Sequence, residues 1–195
     1  MLEQTVSKIT TEPTNQDLNY WASRPYLRPE TQERVRKAEV VLVPREGFRD
    51  QEVRTFPVRT EEFYDFLKTA LSDRHAVDLA IEDDEYKELA LHSALIELGG
   101  MVVLAVVVPV VVNLISDYIN RRAEASAKKD ELKVSFDLTV VEQNQGSARA
   151  IKIAYNGPIT DFLPAILNAV AETPRVVVVQ TPPPPALPEA KPESK

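Results

Sequence analysis

Residues 98–115 read LGGMVVLAVVVPVVVNLI, eighteen positions without one charged side chain. A run of this kind must be hidden from water, and how it is hidden decides the architecture around it. As a single helix it spans roughly 27 Å at ~1.5 Å per residue, close to a bilayer hydrocarbon core of ~30 Å. No polar stripe interrupts it, which excludes an amphipathic surface helix, and it is longer than an ordinary strand. The pattern therefore predicts one long central hydrophobic helix over residues 98–120, a candidate transmembrane helix. Gly99, Gly100, Pro109 and Asn113 are costly in lipid unless neighbouring helices accommodate them. These four, with Val107 near the centre, are the expected membrane and self-association residues. The alternative is a soluble oligomeric interaction module with the same helix buried between protomers.

The flanks are unlike in charge. Residues 61–97 carry eleven acidic and three basic side chains, whereas Arg121, Arg122, Lys128 and Lys129 follow the run as a juxtamembrane basic group. The positive-inside rule assigns that basic side to the cytoplasm. The opening MLEQTVSKITTEPT lacks a basic stretch leading into an apolar one, so no secretory signal is expected. The expectation is a single-pass protein of the inner or cell membrane with its topology open, or a cytoplasmic protein if the helix is buried.

Both sides of the run carry readable elements. Residues 1–30, rich in Thr, Asn, Gln and Pro, have no sustained period and read as a disordered arm. Residues 31–97 form a small α/β module. Ala38–Val43 is a buried strand, and Val53–Pro57 is a second, short one. Thr60 is the N-cap of a helix with Phe63, Phe66, Leu67 and Ala70 on one face. Ala76–Ile81 is a half-buried strand. Glu82, Asp83, Asp84 and Glu85 then open a further helix lined by Tyr86, Leu89, Ala90 and Ala94, where the helix dipole favours acids. After the long helix, residues 121–180 form a ββα module. Leu132–Val140 and Ile151–Tyr155 alternate as a hairpin, and a helix runs from Thr160 to Ala171. Arg175–Gln180, RVVVVQ, is a candidate third strand. The last stretch, 181–195, is a proline-rich disordered tail with a PxxP spacing at Pro185 and Pro188. The fold class expected is α+β.

Several function classes lack their residues. Thirty acidic against 23 basic side chains give a net charge of −7, which argues against nucleic acid as a partner. With no cysteine there is no disulfide, thiolate metal site or cysteine nucleophile, and two histidines, His75 and His92, are few for a zinc site or a triad. The acidic cluster 82–85 invites a metal, but successive carboxylates at a helix start point in different directions. His92, four residues after Glu88, reads as a surface pair. There is no GxSxG, no phosphate-binding glycine loop and no HExxH. No catalytic, cofactor-binding or metal-binding residue is therefore assigned, and no enzyme is expected. The partners expected are membrane lipid, a second copy of the chain and a further protein.

The order of parts resembles the effector-associated constant component proteins of bacterial conflict systems and related uncharacterised membrane-associated proteins. The resembling positions are Leu98–Gly100 leading into the valine run, Tyr118–Arg122 at its exit, and the strand ending IKIAYNGPITDF, over roughly residues 60–171. The resemblance implies a non-enzymatic adaptor or effector component of a bacterial antiviral defence or signalling system. It implies no active-site residue.

Overall fold

A computed structural model describes residues 7–47, 53–72, 74–89, 95–124, 132–144 and 147–172. Along these residues run β1 (Lys8–Thr14), α1 (Leu18–Ala22), α2 (Pro29–Lys37), β2 (Val40–Val43), β3 (Phe56–Pro57), α3 (Thr60–Leu71) and β4 (Val77–Leu79). They continue with β5 (Glu88–Leu89), β6 (Leu95–Leu104), α4 (Val108–Glu124), β7 (Lys133–Asn144), β8 (Ser147–Pro158) and α5 (Ile159–Glu172). The fold is α+β, as expected.

The eighteen-residue run is not one helix. Its first part lies in β6, a turn follows over residues 105–107, and the rest begins α4. No helix among the described residues is long and apolar enough to cross a membrane. The reason is tertiary. β6 is an interior strand flanked by β2 and β7, with Met101 and Val103 buried on one face and Val102 on the other. A strand covered on both faces loses its period-2 alternation and reads as unbroken hydrophobicity. α4 folds back against β6 and buries Val108, Val111, Val112, Ile115 and Ile119. Each such side chain contributes ~1.5–3 kcal/mol on leaving water.

The main sheet has the order β1-β8-β7-β6-β2-β4. β6 and β7 are parallel and joined through α4; β2 and β4 are parallel and joined through α3. The pairs β1–β8, β7–β8 and β2–β6 are antiparallel. Helices α3, α4 and α5 share one core with the apolar side chains of one sheet face, among them Leu42, Val103, Phe136, Leu138, Ile153 and Tyr155. On the other face α1, α2 and the turn between them pack Leu18, Trp21, Val35 and Leu27 in one cluster with Val41, Val43, Val102, Val141 and Ala150. A separate parallel pair, β3–β5, lies outside the main sheet.

Other expectations are revised. Within the stretch read as an arm, Lys8–Thr14 forms an edge strand seven residues long, paired with β8, and Leu18–Ala22 is a helix whose Trp21 is buried. β1 escapes a sequence reading because its residues are mostly exposed, leaving no apolar alternation. Thr60 does not cap α3 as an acceptor: its hydroxyl donates to Pro57 O at 2.7 Å. Glu88 does the capping, accepting from Arg59 N at 2.8 Å and Glu61 N at 3.0 Å. No helix opens at the acidic cluster. Asp83–Glu85 is a single 3-10 turn, followed by β5. The hairpin and α5 follow the expected positions, with both hairpin strands twelve residues long. His92, Ala90, Ala94, Lys128, Lys129, the segment 175–180 and the tail 181–195 lie outside the described residues.

Candidate functional site

Helices α1 and α2 cover the β2 side of their sheet face and reach the β7–β8 hairpin only at Val141 and Ala150, leaving the middle of β7 open. The bare part forms the floor of a cleft of about 460 Å³, with Ser135, Asp137 and Thr139 from β7 and Lys152 from β8. Gly99 and Gly100 continue the floor into β6. Pro44, Arg45, Glu46 and Gly47 form one wall, and Gln16 and Trp21 another. Polar side chains alternate here with the buried Val134, Phe136 and Leu138, the ordinary consequence of a strand with one wet face.

The charges around the cleft come in pairs. Lys152 Nζ lies 3.0 Å from Asp137 Oδ2, across the β7–β8 ladder. Arg45 Nη2 donates to Glu97 Oε1 at 2.7 Å, joining the wall to β6. Glu46 is held in a fork by Arg24, whose Nε and Nη2 donate at 3.0 and 2.6 Å. Arg24 in turn lies over the Tyr20 ring at 4.8 Å and the Tyr26 ring at 6.0 Å. Such planar stacking fixes a guanidinium that would otherwise be free to rotate. The wall segment is tied down by backbone bonds in both directions between Arg45 and Thr55, at 2.8 and 3.2 Å. Burial pushes the Tyr26 phenol above its ordinary range, with the Glu46 carboxylate adding to the effect. The cleft can therefore hold a fixed pattern of alternating charge against whatever enters it.

The residues expected to act in a membrane are dispersed. Gly99 and Gly100 are floor residues of β6 rather than a helix-packing surface. Gly99 has φ +74° beside a bulge between Glu97 and Gly99, and a Cβ on Gly100 would stand 2.8 Å from Val43 Cγ2. Close strand packing is thus why Gly100 carries no side chain. Val107 is fully buried in the turn before α4, and its carbonyl accepts from Val110 N and Val111 N. Pro109 sits in the first turn of α4, where its missing N–H costs nothing. Asn113 is exposed, and its Nδ2 donates to Pro109 O at 2.8 Å. Arg121 and Arg122 end α4 at the negative pole of its dipole, with their guanidinium groups over Phe66 and Tyr118 at 5.5 and 5.9 Å.

The acidic cluster also disperses. Glu82 is buried and accepts from Arg28 N at 2.7 Å, at the start of α2. Asp84 takes the Arg28 side chain at 2.7 Å, and Glu85 takes Arg54 at 2.9 Å. His75 Nδ1 stands 3.0 Å from Glu39 Oε2.

Sequence reasoning missed the cleft because its residues come from β2, β6, β7 and β8, and no local spacing joins them. One signal was present: Ser135, Asp137 and Thr139 are the polar half of the alternation that identified β7. No protein-family model, no curated protein and no solved structure matches this chain.

Proposed function

We propose that the chain is a non-enzymatic recognition module, an adaptor that presents the open cleft over the middle of β7 and β8 to a protein partner. The observation that carries this reading is the cleft over β7 and β8, whose Lys152–Asp137, Arg45–Glu97 and Arg24–Glu46 pairs form a ready charge pattern. Charge arranged in this way gives specificity and orientation more than raw affinity, which is what an adaptor requires. The paired charges are already fixed before a partner arrives, so little ordering is needed on binding. The resemblance carried by Leu98–Gly100, Tyr118–Arg122 and IKIAYNGPITDF supports a place in a bacterial defence or signalling assembly.

The test exploits the ladder pair. Exchanging its members, Asp137→Lys with Lys152→Asp, keeps an ion pair at the same place and reverses the pattern offered to a partner. The tagged full chain and the exchanged variant are recovered from the native host, and co-purifying proteins are quantified. The reading expects an unchanged thermal midpoint and loss of a partner retained by the parent chain. The same partners on both, or none on the parent, would overturn it.

A further inference from the structure

β1 is an outer strand of the main sheet, and among the described residues no strand pairs with its far side. Such an edge presents unpaired backbone donors and acceptors to any extended chain. Pro13 is compatible only with an edge and removes one donor near the end of β1, leaving Lys8–Glu12 for pairing. The sequence beyond α5 also carries a run of strand-favouring residues. Arg175–Gln180 carries four consecutive valines, and it begins three positions after α5 ends at Glu172. β-branched residues in an uninterrupted run favour the strand state and a covered position.

The β1 edge of the same chain is one candidate, but chirality opposes that pairing. The crossover β6–α4–β7 moves across the sheet towards β1, with α4 on the face shared by α3 and α5. Such parallel crossovers are right-handed in about 98% of cases. β8 runs antiparallel to β7 and so to β6. A crossover from β8 through α5 to a parallel strand beyond β1 would use the same face and the same lateral direction with the strand direction reversed. Its hand would therefore be left. The constraint applies to one continuous chain and vanishes when the strand comes from another molecule.

We propose that Arg175–Gln180 of one copy adds as an antiparallel strand to the free edge of β1 in a second copy. The register that uses the available charge sets Arg175 opposite Glu12, which places Val176 opposite Thr11, Val177 opposite Thr10 and Val178 opposite Ile9. Ile9, 38% exposed in the single chain, then gains an apolar neighbour. Strand exchange between identical chains is a low-cost route to an oligomer, since both the donor and the edge already exist. This proposal is independent of the cleft, and the exchanged Asp137→Lys/Lys152→Asp protein should associate as the parent does.

The absence of native cysteine makes the test clean. A tagged full chain with Thr10→Cys is mixed with an untagged full chain with Val177→Cys and oxidised. The expected product is a disulfide-linked heterodimer. In parallel, light scattering should give at least twice the chain mass for the parent and the single-chain mass for Val177→Pro, whose described fold is untouched. A monomeric parent, a Val177→Pro protein associating like the parent, or failure of the two chains to crosslink would each overturn the proposal. So would a crosslink confined within one chain when both cysteines are placed together.

Discussion

At Gly100 the width of one methyl group governs the fit between β2 and β6. Gly100 pairs with Val43, and an added Cβ would lie 2.8 Å from Val43 Cγ2. Gly100→Ala should cost about 1–3 kcal/mol by overpacking, and Val43→Ala in the same chain should relieve part of it. Urea titration of the two single variants and the double variant measures that coupling. Val107→Lys should behave quite differently from a membrane-release mutation. Its site is fully buried, so an unpartnered ammonium there should abolish cooperative unfolding and near-UV ellipticity. Glu88 gives a pH-dependent test. Burial alone would raise its carboxyl, but the Glu61 N–H, the Tyr86 hydroxyl and the Arg59 N–H outweigh burial and hold it below its ordinary 4.5. A depressed carboxyl stabilises the fold above its unfolded value, and that contribution is lost as the pH falls through the folded value. Glu88→Gln should therefore lower stability at neutral pH and flatten the loss below about pH 4.5, as read from thermal midpoints across pH.

Among the elements, α4 separates an inner stripe from an outer one. Val111 is fully buried while Val110 is 46% exposed, although both come from the same valine run. Val111→Ala should cost ~1–3 kcal/mol, whereas Val110→Ala should stay within about 0.5 kcal/mol; chemical denaturation distinguishes them. The hairpin end adds an alkaline test. The Tyr155 hydroxyl donates to Pro158 O at 2.6 Å, and burial, with a smaller push from Asp161, raises the phenol from 10.0 to about 12. A raised phenol stabilises the fold below its unfolded value, and the contribution fades as pH climbs to the folded one. Tyr155→Phe should thus flatten the loss of stability between pH 10.0 and about 12.

Across the whole molecule, the sheet is guarded unevenly. One face lies under α3, α4 and α5; on the other, α1 and α2 cover β2 and reach Val102, Val141 and Ala150, while Ser135, Asp137 and Lys152 line an open cleft. β1 shields the outer edge of β8 along seven residue pairs while burying little of itself. Removing residues 1–14 should consequently speed hydrogen exchange at the β8 amides between Ala150 and Asn156 and leave the amides of β2 protected. Equal protection of β8 with and without β1 would show that the edge strand contributes no shielding.

By itself the sequence determined the elements whose side chains keep a period. α3, β7, β8 and α5 are wet on one side, so their apolar positions recur at 3.6 or 2 residues and name the element directly. It also determined β2, a continuous apolar run, and β4, a short alternating one. Only the tertiary structure decided the fate of residues 98–115. β6 is covered on both faces and α4 begins inside the same apolar run, so neither shows a period where they meet. Pro109, Asn113, Asp117 and Asn120 already mark an exposed stripe at helical spacing from residue 109 onward, the one local trace of the reversal. The cleft, and the Glu88 cap on α3, depend on contacts between residues distant in sequence. They arise from strand order, which no local pattern encodes.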